Sequence, residues 1–577
     1  MRNVVSAVGI CASLAVTAGQ ARSWPPRDYL LHSLVNAVPK LLEKYHPETG
    51  KFGTEPWVYQ DQMPIYPLAA AWSIEDPDNP YFRDPKLLAV IARGGEVWYE
   101  QQYDDGRWHL LRKNGDDWGK FRSSFVESHW IKTYHLVRDA LPAESREKWE
   151  TGLRRSCRRI PAMLRKAAVN NQPLRHAMAL YIAGVCFDDA AWKDTASAYM
   201  AKVVAAQHPA GYWSEHGGPA VAYSMAYSWF LGIYYHFSQD PGVLDALQRA
   251  SRFHLLIRWP NGSLIACMDE RTIYTKSIPL GEVGFTFCPE GRALLRAQLG
   301  CKLPRQQDAP AEYCANMLLY SGKGAVAELP EASARTVAAI GDRDALIAHN
   351  APWHWACSGY TCELSRNRWF QDRQNLVDVY HDRLGLVMGG GNTKLQPYWS
   401  TFTVGDPALL RFTPGNPPAD LVPEIDLCWT PDSTMLSAAE NAATHMDLDY
   451  AGVRCTVTAA VVKTGALRLT FTAPPGERVE AHLPFLRRQN RVQLGTGEEI
   501  VLTKKDLVLD AARTGRHFTL DRLRVSVPAG ATLRWPAWQH NPYKRDGSSS
   551  ISIAKLVLVL PFDTTGEYSV DLTCVSD

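Results

Sequence analysis

Past its N-terminal end the chain has no stretch approaching the roughly 20 consecutive apolar residues that a membrane helix needs, so no span is expected. It has little charge of either excess sign: 62 Lys+Arg against 60 Asp+Glu give a formal +2, which excludes a global attraction for nucleic acid or a lipid surface. CxxC, HxxxH and HxH spacings do not occur, so no metal site is indicated. Phosphate-cradling glycine loops are missing, and low complexity is confined to Ser548-Ser549-Ser550. No cofactor is called for by these absences.

What is present is length and aromatic surface. At 577 residues with 46% hydrophobic content, the chain is long enough for two to four domains. Its 19 Trp and 24 Tyr supply many flat, amphipathic faces of the kind on which sugar rings stack, although most Trp in any protein fill core. Arg2, the apolar run Val4 to Val16 and the small residues to Ala21 read as a signal peptide (residues 1–21), which places the mature chain outside the cytoplasm, secreted or periplasmic. Of 12 cysteines, Cys11 lies in that leader. The eleven left over are an odd number, so at least one thiol is free; Cys357 and Cys362 are the first candidates for a disulfide.

From Tyr29 to about Gly300 apolar residues recur at three- and four-residue spacing, as in LLHSLVNAVPKLLEKYH. Turns that set glycine beside a bulky residue fall between them: GKFG at Gly50, DDGRW at Asp104, AGYW at Ala210 and NGSL at Asn261. Their spacing suits helical hairpins, none able to bury its stripe alone, and predicts an α/α toroid or incomplete barrel over residues 22–310. From 311 to 577 short Val-, Thr- and Leu-rich runs such as VRCTVTAAVV and ALRLTFTA alternate with Gly, Pro and Asp, which predicts antiparallel strands in a β-sandwich-like domain. The fold class expected is multidomain α+β.

The stretch richest in chemistry is GYWSEHGGPAVAYSMAY, Gly211 to Tyr227. It carries Trp213, Glu215, His216, Tyr223 and Tyr227. The two tyrosines are four apart, so a helix over Ala220 to Phe230 sets both hydroxyls on one face. An imidazole and a phenol aimed at one place suit proton transfer at a carbon acid. Tyr and His on helices are also common core residues with one satisfied hydrogen bond. Upstream, Asn170 and Asn171 open an apolar helix; each is a natural N-cap, and each is also a neutral amide able to bind a substrate carboxylate.

These letters resemble the α/α-toroid polysaccharide lyases, the superfamily of hyaluronate, chondroitin AC and xanthan lyases with the related alginate lyases and heparinases. Those enzymes carry an Asn opening an inner helix and, some fifty-odd residues on, a DG-aromatic-x-x-H segment that ends in AYxxAY. Here Asn171, Gly211, Trp213, His216 and AYSMAY match. The resemblance implies that Asn171 neutralises the carboxylate and Tyr227 is the catalytic phenol. Ala210 stands where the family has Asp, and the His-to-Tyr interval is two residues longer, which keeps Tyr223 as the rival phenol. Gln172 follows the asparagine where the alginate branch often has His, which shifts the base role to His216.

In the β half, Arg366, Arg368 and His381 are candidates for a uronate site, the arginines by bidentate pairing, and Trp353, His354 and Trp355 form a candidate sugar shelf. Surface arginine, loop histidine and core tryptophan are the plain alternatives. Asp104-Asp105, Asp116-Asp117, Glu127 and Glu215 keep open a toroid glycoside hydrolase working with two acids, and a glycan-binding protein without chemistry is a third reading. The reading favoured is a lyase that cleaves a uronic-acid-containing polysaccharide by β-elimination. Its partner is then an anionic poly- or oligosaccharide. Oligomeric state is not legible.

Overall fold

The computed structural model describes residues 26–270, 280–302, 308–328, 335–416 and 420–575. The expected signal peptide lies outside them. The described chain divides into two units, one helical and one of β-sheet.

Twelve helices are described: α1 Arg27–Leu42, α2 Ile65–Ser73, α3 Pro85–Glu100, α4 Ser124–Val137, α5 Ala143–Cys157, α6 Ile160–Lys166, α7 Asn171–Cys186, α8 Ala190–Ala205, α9 Val221–Ser238, α10 Pro241–Leu256, α11 Pro289–Lys302 and α12 Ala311–Tyr320. Several begin where a short polar side chain takes an orphan amide. Asp84, Ser123, Asn170 and Asp189 each accept from a backbone N–H of the first turn of α3, α4, α7 and α8. In α2 and α4 nearly every position is buried, which marks them as inner helices, whereas α8 hides only one stripe. The inner run α12, α2, α4, α7 is made by successive packing, with α1, α3 and α8 laid outside it. That is the toroid expected from the hairpin spacing.

The helical unit runs on to Glu328 and includes α12, so the boundary expected at 310/311 falls one helix early. Helical periodicity in the short α12 is hard to separate from a buried strand by pattern alone. The described parts of 208–224 and 253–279 group instead with the β unit.

Much of the tryptophan content is core. Trp98, Trp108, Trp130 and Trp149 form one aromatic cluster with neighbouring ring centroids 5.9 to 6.4 Å apart. Gly95 and Gly152 make room for it: a Cβ on Gly95 would lie 1.9 Å from the Trp149 ring, and one on Gly152 2.3 Å from Trp130. Overpacking of this kind costs about 1–3 kcal/mol.

The β unit holds an 11-stranded and a 9-stranded antiparallel sheet. Strands such as Thr444–Tyr450 alternate buried and half-buried residues, so one face meets the core. Trp353–Ser358 and Val377–His381 are buried throughout. Trp353 and Trp355 therefore belong to the sheet core, their indole N–H groups donating to Gly465 O and Thr444 Oγ1, and do not form a sugar shelf.

The ten cysteines whose state is described are free thiols, so the Cys357–Cys362 disulfide does not form. Cys357 points from its strand to Thr444 Oγ1, 3.4 Å away, while Cys362 lies beyond the strand and accepts from the Arg373 amide.

Candidate functional site

In the β unit, Ser214–Glu215 and Gly218–Pro219 form a two-stranded ladder closed by His216 and Gly217 alone. Both turn residues have positive φ, 42° and 79°, the conformation that a tight hairpin of this hand requires. At Gly217 a Cβ would stand 2.1 Å from the Thr361 carbonyl oxygen, so only glycine fits. His216 accepts a left-handed backbone to sit at the tip, a local strain of the kind that recurs at functional positions.

The tip is held from outside. Arg373, buried, donates Nε to His216 O at 2.8 Å, Nη2 to Glu215 O and Pro219 O, and Nη1 to Met268 O. The imidazole of His216 stacks on Phe370, centroids 4.6 Å apart and planes 14° off parallel. Its Nε2 lies 2.9 Å from Glu363 O. A carbonyl only accepts, so Nε2 carries the hydrogen and, in the neutral ring, Nδ1 carries the lone pair. Nδ1 has no partner among the described residues. Burial lowers the His216 pKa, which keeps the ring neutral and Nδ1 a proton acceptor.

α9 follows the hairpin and carries Tyr223 and Tyr227 on one face, as their spacing predicts. Its first amide, Val221 N, is capped by Asp269 Oδ1 at 3.1 Å. Tyr227 is 2% exposed and Tyr223 half-buried.

The helical unit settles the asparagine ambiguity at α7. Asn170 is the N-cap, its side-chain oxygen accepting from Gln172 N at 3.0 Å, the capping role open to it from the sequence. Asn171 is the first helical residue, half-buried, with its amide not committed to that cap. One turn on from it lies Arg175.

Other expected residues fall elsewhere. Trp213 is 2% exposed and donates its backbone N–H to Ser224 Oγ, a core position. Arg368 donates Nη2 to the carbonyls of Pro542 and Lys544, and so staples a loop. His381 is buried in its strand against Trp353, with burial pushing its pKa down to about 4. Arg366 is exposed beside Asp420.

Three of the acids that a hydrolase could use are engaged by neighbouring side chains. Asp105 is chelated by Arg107 in its own turn, which holds its carboxyl down at about 2. Asp117 pairs with His109 across its hairpin, and Glu127 is buried between His176 Nδ1, 2.5 Å away, and Arg122. Arg373 and Arg175 were not singled out in the sequence. Arg373 carries no local signal, because its partners lie more than 100 residues away, whereas Arg175 stands at i+4 from Asn171 and was legible in principle.

No family model matches the sequence, and no curated protein matches it. The fold does have relatives among solved structures. A Paenibacillus xanthan lyase superposes with a TM-score of 0.53 and 10% identity, covering 95% of this chain and 57% of that one. A Streptomyces coelicolor chondroitin AC lyase, solved with chondroitin sulphate, gives 0.52 and 13%, covering 97% and 81%. A heparinase III gives 0.52 and 10%, covering 95% and 84%. This chain thus spans little more than half the length of the xanthan lyase. What it shares with these proteins is the fold, a helical toroid followed by antiparallel sheets.

Proposed function

We propose that the protein is a polysaccharide lyase that cleaves a uronic-acid-containing polysaccharide by β-elimination. In this reading Asn171 binds the uronate carboxylate and stabilises the negative charge that builds on it as the adjacent carbon loses its proton. His216 Nδ1 takes that proton, and Tyr227 gives one to the departing glycosidic oxygen. The electron pair of the broken C–H bond becomes the new C=C bond as the C–O bond opens. The product is an unsaturated uronate end. Tyr223 is the alternative donor on the same helix face. The observation that carries the reading is the state of His216: a neutral ring, fixed at Nε2 by a carbonyl, whose buried Nδ1 has no hydrogen-bond partner among the described residues. The local engagement of Asp105, Asp117 and Glu127 weighs against a two-acid hydrolase.

The N-terminal apolar run fits an exported enzyme that meets its polymer outside the cytoplasm. Incubation with a panel of anionic polysaccharides, followed by ultraviolet absorbance and reducing-end assay, tests the proposal. A rise in both is expected. New reducing ends without absorbance refute elimination, and neither signal refutes catalysis on these polymers.

A further inference from the structure

The inner helices of the helical unit hold a cluster of buried charges that the elimination scheme does not use. Arg175 on α7 is 5% exposed, and its guanidinium is packed against rings: 3.8 Å from Phe125, 4.5 Å from Phe230 and 4.9 Å from Trp229 to the ring centroids. Ring faces satisfy the flat sides of a guanidinium and leave its N–H edge unanswered. Arg175 Nη1 has no acceptor among the described residues, and neither has Trp229 Nε1 beside it. Lys132 on α4 reaches the same indole, its Nζ 5.9 Å from the Trp229 centroid and 3.7 Å over Tyr66.

The acceptors nearby are already shared. Glu312 on α12 faces His129 at 2.9 Å and Lys132 at 3.5 Å. Asn316 Oδ1 accepts from both Tyr66 and Lys132, while Asn316 Nδ2 has no acceptor among the described residues. Arg175 Nη1, Trp229 Nε1 and Asn316 Nδ2 are thus donors left over among the described residues. Desolvation lowers Lys132 to about 8 and Arg175 to about 10, so both remain protonated at pH 7. Burial also lowers His129 towards neutrality and raises the Glu282 carboxyl to about 8. Glu312, facing both His129 and Lys132, is the carboxylate these groups share.

We infer that the helical unit carries an internal seat for one small monovalent anion, gripped by Arg175 with Lys132 and the Trp229 N–H. A buried cation without a counter-ion is strongly unfavourable, and a water molecule in its place supplies acceptors but no charge. The ligand chemistry is that of a halide or a carboxylate. It comes either from solution or from an acidic sugar. The inference does not rest on the lyase proposal.

Thermal unfolding at pH 7 and fixed ionic strength, balanced with a bulky aryl sulfonate in place of any carboxylate or halide, tests it by comparing chloride, bromide, formate and glucuronate. The expected result is a midpoint raised by about 3 °C at ten times the dissociation constant in at least one of these anions, and no such rise in Arg175→Met. Should Arg175→Met not fold, Lys132→Met replaces it with the same expectation. A response to chloride, bromide or formate assigns the seat to free anions, and a response to glucuronate alone assigns it to the sugar. One midpoint in all four salts, or an anion response undiminished in the variant that folds, overturns the inference. Crystals soaked in bromide give an independent reading for a halide seat: an anomalous peak within hydrogen-bond distance of Arg175 Nη1 supports it.

Discussion

The two units differ in how they bury charge. In the β unit most interior charges face backbone: Arg373 donates to four carbonyls, Lys394 to those of Ser365 and Phe370, and Asp378 accepts from the amides of Ala266, Cys267 and Gly390. Side chains take part as well: Lys394 also pairs with Asp372, and Lys555 rests on the face of Trp399. In the helical unit Arg175, Lys132 and Glu312 face side chains and ring faces, while His129 also bonds the Phe125 carbonyl and Arg292 donates to the carbonyls of Thr286 and Ala325. The reason is structural: helix backbone is already bonded to itself, so a buried charge in mid-helix finds mainly side chains, while loops leave carbonyls and amides in need of partners. Charges in the β unit fix loop shape. Those of the helical unit retain hydrogen-bonding capacity, and that is where a ligand has something to bind.

The largest effect expected from breaking this contrast is at Arg373. Arg373→Met leaves four carbonyls without their shared donor and should destabilise the β unit by about 3–5 kcal/mol, read from urea unfolding. Arg373→Lys should recover little, because one ammonium cannot reproduce the guanidinium fork. A loss below about 1 kcal/mol would show that the hairpin tip is held by other means.

Next come the chemical groups at the ends of the same segment. Tyr227→Phe and His216→Ala should each lower turnover by about 10²–10⁴-fold with the fold intact and substrate still bound. Unchanged turnover in Tyr227→Phe moves the donor role to Tyr223.

How far these features were legible follows from the range of each interaction. The toroid and the strand-rich half came from periodicity, and the α9 face from the four-residue spacing of Tyr223 and Tyr227, because each is a local property of the chain. Asn170 and Asn171 were ambiguous for the same reason: two adjacent amides compete for one cap, and geometry decides for Asn170. His216 was singled out by type and neighbourhood. Its tautomer was not legible, since Glu363 O and Phe370 lie some 150 positions on in a different part of the chain. Trp353, Trp355 and the proposed disulfide failed because a strand pattern tells which residues share a face and not which face is core.

Acid should also separate the units. In the β unit burial lowers His254 to about 3 and His349, His381 and His540 to about 4, against 6.5 for the free side chain. Between pH 6.5 and about 4 the unfolded chain therefore binds protons that the folded chain refuses, so stability falls as pH drops through this window. In the helical unit burial likewise lowers His129, His135 and His236, but Glu282, raised to about 8, offsets them with the opposite sign: the folded state holds the proton more tightly, and its contribution grows as pH falls from 8 towards 4.5. Peptide-resolved hydrogen exchange at pH 7 and pH 4.5 should show protection lost more in the β-unit core strands than in α2 and α4. Equal loss in both would remove the histidines as the cause.

The smallest effect is expected at Arg366, whose side chain is 76% exposed and 3.8 Å from Asp420. A solvent-screened pair at that distance contributes little, so Arg366→Ala should change stability by less than about 0.5 kcal/mol. The same variant sharpens the comparison by its kinetics. If Arg366 grips the uronate, as its place in the sequence led us to expect, the substitution raises KM against polymer while folding is untouched. If the carboxylate is bound by groups of the helical unit alone, KM and kcat both stay at the unsubstituted values, and Asn171→Ala, not Arg366→Ala, carries the loss.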